Sequence, residues 1–172
     1  MTVVSTRKDP VAMTLTIYAE FEASIERVWQ LWDDPRQLER WWGPPLYPAT
    51  FLDHDLRVGG HASYFMTGPG GHQPRGWWRV LVVDAPRRLE FVSGFADESG
   101  EPDPDMPTMI DRVQLDELAT GGTGMTVETT FPTPQAMEQI ISMGMEEGMT
   151  GALSQIDAIL LESVAPPLDG AV

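Results

Sequence analysis

The sequence contains no cysteine. That excludes a disulfide framework, a thiol nucleophile and a thiolate metal site. Asparagine is absent too, so no N-glycosylation acceptor exists. No apolar run approaches the ~20 residues needed to cross a bilayer, so membrane insertion is not expected. The first residues carry Arg7 and Lys8 but no apolar segment of the secretory kind. A cytoplasmic location fits these absences. Positive charge is scarce: 11 Lys and Arg stand against 26 Asp and Glu, a net charge of −15. Nucleic acid and anionic membranes both call for a cationic face, so neither is expected as a partner. The acidic balance reads as a soluble surface that resists aggregation.

Several catalytic and metal patterns are missing as well. Asp53, His54 and Asp55 are adjacent, with His61 and His72 nearby in sequence. On a strand, however, His54 points away from both aspartates, and no H-E-x-x-H spacing occurs. These groups read as a solvated strand face and loop histidines, with no metal or cofactor expected. G-x-S-x-G is absent. Gly68-Pro69-Gly70-Gly71 fits neither phosphate-binding pattern and reads as a turn. Glu146 and Glu147 are a carboxylate pair on a helix, where exposed charge is the ordinary arrangement.

What is present is periodic. From Thr133 to Val164, apolar residues recur at Met137, Ile140, Ile141, Met145, Met149, Ala152, Leu153, Ile156, Ile159 and Leu160. This is one helical stripe, opened by Thr133 as cap and Pro134 at the first position. It is too apolar to stand in water, so something broad must cover it. Gly144, Gly148 and Gly151 lie inside it and imply a bend, a close approach to the sheet, or room for a ligand.

Thr14 to Phe21 alternates as a half-buried strand. Ser24 caps a short helix with Ile25, Val28, Trp29 and Trp32 inward. Asp34, Pro35 and Gln37 open a second one carrying Leu38, Trp41 and Trp42. Strands follow over 50–58, 61–67, 75–83, 88–96, 109–118 and 125–131, joined by turns too short for parallel crossovers. Residues 97–107 read as an exposed, mobile loop. The unit spans 12–164, with 1–11 and 165–172 as flexible tails. One antiparallel sheet of about seven strands against one long C-terminal helix is an α+β architecture.

The ordered set Ala23-Ser24-Ile25-Glu26-Arg27-Val28-Trp29, Asp34-Pro35, Trp41-Trp42-Gly43, Asp55 to Gly60, Pro86 to Leu89, Gly121-Gly122-Thr123 and Gly148 to Leu160 resembles START-like (SRPBCC) proteins. Within them it is most similar to the family named after the activator of the heat-shock-protein-90 ATPase. The resemblance covers about Met13 to Ser163. It implies a helix-grip (START, Bet-v-1-like) fold with a cavity between a curved sheet and the C-terminal helix. It also implies one of three activities: holding a hydrophobic small molecule, an enzymatic activity of the polyketide cyclase or hydrolase type, or a co-chaperone-like contact with a chaperone partner. Two departures stand out: the acidic insertion 97–107, and Gly148-Met149 where relatives often carry Gly-Trp.

Aromatic and methionine side chains are the strongest chemical signal, since wide rings and flexible thioethers suit an adaptable apolar pocket. Trp29 and Trp32, on a helix's inner stripe, read as plain core. The candidate ligand-binding set is Trp42, Tyr64, Trp78, Arg79, Phe91, Phe95, Met145 and Met149, with Tyr64 and Arg79 offering polar contacts. The strand from Trp77 to Val83 is apolar on both parities, so its inward face stays open. The expected function is binding of a small hydrophobic ligand, lipid-like or aromatic. An enzyme would require an inward titratable group, with His61, Tyr64, Arg79 and Glu147 as candidates. The oligomeric state, a homodimer included, stays open.

Overall fold

The alternation along Thr14–Phe21 is realised as β2, whose Leu15, Ile17, Ala19 and Phe21 are each at most 2% exposed. In the computed structural model, which describes residues 3–164, this strand sits inside one antiparallel sheet of eight strands. The others are β1 (Val3–Asp9), β3 (Ala49–His54), β4 (His61–Met66), β5 (Arg75–Asp84), β6 (Arg88–Ala96), β7 (Met109–Glu117) and β8 (Thr123–Thr130). Their order is β1-β2-β8-β7-β6-β5-β4-β3. The run from β3 to β8 is a meander, and β2 closes against β8 from Thr14↔Thr130 to Phe21↔Thr123. The inner face of the curved sheet carries the core, and the C-terminal helix covers it, giving the helix-grip architecture.

Eight strands replace the expected seven or so because residues 1–11 are not a tail throughout. Val3–Asp9 pairs with β2 from Val3↔Ala19 to Asp9↔Thr14. An edge strand needs only backbone partners on one side, so a polar, aperiodic stretch can serve. Residues 165–172, the other expected tail, lie outside the described residues. The strand expected over 50–58 ends at His54. Its register shifts between Phe51 and Asp53, and Asp55–Gly60 then turns, with Gly59 at φ +81° and Gly60 N–H donating to Arg57 O at 2.7 Å. On β5 a second register shift, between Val80 and Val82, explains the double parity of its sequence. Trp78 and Val80 face the core before the shift, and Val83 packs against it afterwards.

The two short helices follow their caps. Ser24 Oγ accepts from Arg27 N–H to open α1 (Ile25–Asp33), and Asp34 accepts from Arg36 N–H at 2.9 Å to open α2 (Pro35–Leu38). The Gln37 amide donates to Asp34 at 3.1 Å and, first among several hydrogen bonds, holds that carboxyl below its ordinary pKa. Trp32 of α1 is the hub of the aromatic core. Its ring centroid lies 4.8 Å from Trp41, 6.3 Å from Trp78 and 6.4 Å from Phe91, and Trp78 stacks on Phe91 at 4.1 Å.

The C-terminal helix is present in three collinear-in-sequence segments, α3 (Pro134–Ser142), α4 (Met145–Leu153) and α5 (Ile156–Val164). Thr133 caps the first, accepting from Ala136 N–H at 3.0 Å. The first break is at Gly144, whose φ of +92° belongs to the left-handed region that a side chain disfavours. Gly144 thus marks a bend, as one reading of the glycine spacing expects, whereas Gly148 and Gly151 lie inside α4. No helix among the described residues is long and apolar enough to cross a membrane.

Candidate functional site

Sheet and helix do not meet everywhere. Between β4, β6 and β7 on one side and α3 and α4 on the other lies a cavity of about 250 Å³. Period-two geometry decides which side chains reach it: Tyr64 and Met66 from β4, Ser93 and Phe95 from β6, and Met109 and Asp111 from β7. Ile140, Met143, Met145 and Met149 form the helical side, the last two following the bend at Gly144. Gly148 leaves open space, for a Cβ built there meets no atom within 4 Å.

Trp42 and Pro44 complete the wall. The loop bearing them is fixed from the helix side: the Gln155 amide donates to Gly43 O at 2.7 Å. Gly43 is required for the loop's own closure, since a Cβ there would stand 1.7 Å from Tyr47 O. On α4, Gly151 faces the same loop: Pro45 Cδ and Pro44 Cβ stand 3.6 and 3.8 Å from where its Cβ would be, ordinary contact distances. The Trp42 ring stands edge-on to Tyr64, centroids 6.0 Å apart, and to Trp78 at 4.9 Å. Among the described residues, the buried Trp42 and Trp78 indole nitrogens have no hydrogen-bond partner.

The polar content of the cavity is concentrated in two groups. Tyr64 is one: burial pushes its phenol up to about 12, offset in part by the neighbouring Trp42 indole. Asp111 is the other, at 6% exposure. Ser93 Oγ donates to one of its oxygens at 2.5 Å, and Thr129 Oγ1 to the other at 2.6 Å. Burial nonetheless dominates and raises the carboxyl above its ordinary pKa, the two hydroxyls opposing it.

Of the candidate residues named from sequence, Trp42, Tyr64, Phe95, Met145 and Met149 come together around the cavity. Trp78 and Phe91 do not reach it; both are fully buried in the aromatic core behind the lining. Arg79 is a correction. It is exposed, because Trp78 and Val80 take the inward parity of β5 and leave Arg79 on the outer face. His61 and Glu147 are exposed, and Glu146 pairs with Lys8 at 3.3 Å. His54 Nε2 lies 2.9 Å from Trp32 O and so belongs to the α1–β3 contact. Asp111 is the functional candidate that sequence reading missed. Its signal was available: Met109, Asp111, Val113 and Leu115 share one parity, so an acid stands in an apolar row.

Residues 22–161 match the family described as Activator of Hsp90 ATPase homolog 1-like protein. The chain belongs to this family. It is 48% identical to a protein from Arthrobacter aurescens whose solution structure superposes with a TM-score of 0.90 over 99% of each chain. A crystal structure of a Mycobacterium smegmatis protein is 46% identical, with a TM-score of 0.86 over 92% of this chain and 96% of that one. A Staphylococcus epidermidis protein is 29% identical, with a TM-score of 0.77 over 99% and 100% of the two chains. No curated protein matches the chain. The family assignment supports a domain of the ligand-binding or co-chaperone-like kind.

Proposed function

We propose that the chain binds a small, largely apolar molecule in the cavity between α3 and α4 on one side and β4, β6 and β7 on the other. The observation that carries this reading is the lining itself: Trp42, Tyr64 and Phe95 give flat faces, and Met66, Met145 and Met149 give thioethers that adjust to a guest. The volume of about 250 Å³ falls just under the ~300–1,000 Å³ of drug-sized sites. It suits one substituted ring or a short acyl chain rather than a long lipid. The helix and the Trp42 loop, tied by Gln155, make a wall that is set before the ligand arrives, which lowers the ordering cost of binding.

A thermal-shift screen of small aromatic and short-chain compounds tests the reading. Hits should raise the melting temperature of the natural chain in a concentration-dependent way. The same hits should lose their effect in Gly148→Leu, whose side chain enters the space that Gly148 leaves open. A screen without hits, or hits indifferent to Gly148→Leu, would remove the cavity as the binding site.

A further inference from the structure

We propose that the cavity selects a protonated amine, its ammonium group seated against the Asp111 carboxylate and its apolar body against Trp42, Tyr64 and Phe95. The inference rests on the apolar-cavity reading and names the ligand class within it. Asp111 is a lining residue, buried, and sits on the inner face of β7 among apolar neighbours. Such a position is costly for a charge and needs a reason. Each carboxylate oxygen takes one hydroxyl hydrogen bond, from Ser93 and from Thr129, which holds the group's orientation and leaves further lone pairs free.

No cation of the described residues pairs with Asp111. Lys8 is engaged by Glu146, and Arg112, the next residue on β7, turns to the opposite face and pairs with Glu90 and Glu128. The missing counter-charge is therefore one that a ligand can bring, and a cation among aromatic faces gains further attraction from the rings. The net charge of −15 also concentrates cations around the molecule and disfavours anionic competitors. Facing groups do not confuse the titration. Tyr64, at about 12, stays neutral through the acid and neutral range, Glu146 is paired, and Glu138 and Glu147 are exposed.

The test compares 2-phenylethylamine with two neutral probes of like shape, 2-phenylethanol and ethylbenzene, by calorimetry on the natural chain and on Asp111→Asn. The amine should bind the natural chain roughly tenfold or more tighter than the alcohol at neutral pH, and the ratio should fall to within about twofold in Asp111→Asn. Lowering the pH through the titration of Asp111 should weaken the amine alone. This arm needs only the natural chain, so it decides the matter even where Asp111→Asn fails to fold. Alcohol binding as tightly as amine, amine affinity that ignores pH, or a preference that survives Asp111→Asn overturns the inference while leaving an apolar cavity in place. If none of the three probes binds and the broader screen also gives no hit, the cavity reading fails with it.

Discussion

The phenolic oxygen of Tyr64 lies directly over Gly76, 2.4 Å from where a Cβ on that glycine would stand. The two residues are register partners on β4 and β5. The same ring sits 5.0 Å from Phe51, so it has no easy retreat on that side. Gly76→Ala should therefore destabilise the fold by about 1–3 kcal/mol, the usual cost of overpacking. It should also push Tyr64 toward Trp42 and disturb the cavity. Urea unfolding measures the first effect, and loss of thermal-shift response to hits measures the second. An alanine variant as stable as the natural chain would show that the ring is not held there.

Two glycines of the C-terminal helix should respond in opposite directions. Gly144 holds φ +92° with nothing near its absent side chain, so Gly144→Ala costs backbone strain of about 1–2 kcal/mol. Gly148 lies inside α4 with helical geometry and open space, so Gly148→Ala should stabilise by up to about 1 kcal/mol. The same change narrows the cavity and should weaken ligand binding. Paired denaturation and binding curves on the two variants check both signs.

Acidity offers a third test. Burial raises the Asp111 carboxyl, so the folded chain keeps that proton to higher pH than the unfolded chain, whose carboxyl titrates near ~3.9. In the window between the two values the folded state binds more protons, and stability falls as pH rises. Below the unfolded value the contribution is fully present; above the folded value it is lost. Asp111→Asn removes this slope. The variant should gain on the natural chain as pH rises through the window, read from urea midpoints in a buffer series. A difference that stays flat, or moves the other way, contradicts the assignment.

Removing the ring of Trp78, which is fully buried and stacks on Phe91 at 4.1 Å, should be among the most damaging single changes. Trp78→Ala should cost about 3–5 kcal/mol. Trp77→Ala should cost much less, because that ring covers Gly94 on the outer face and is half-buried. Comparing the two neighbours by thermal unfolding checks which parity of β5 carries the core.

Much of this was legible in the chain. Caps at Ser24, Asp34 and Thr133 act through their own side chains, so local chemistry reveals them. The inward faces of β2, α1 and the C-terminal helix follow from strict periodicity. The faults arose where pairing, not pattern, decides. β1 has no apolar period because it is an edge strand held to β2 by backbone bonds. Arg79 stands among the sequence candidates because both parities of β5 are apolar and leave its inward face open; the shift between Val80 and Val82 that causes this leaves no mark in one strand read alone. Trp78 and Phe91 differ from Trp42 and Phe95 only in depth, which depends on where the helix lies. Asp111 is visible in the sequence as an acid in an apolar row, but its two hydroxyl partners, Ser93 and Thr129, sit on neighbouring strands 18 positions away on either side and emerge only from the pairing.

Lys8, the sole lysine of the chain, reaches from β1 to Glu146 in the first turn of α4. Deleting the first ten residues would thus strip a strand and unmoor the roof of the hollow in one stroke. Lys8→Gln would loosen the same tether without shortening the polypeptide.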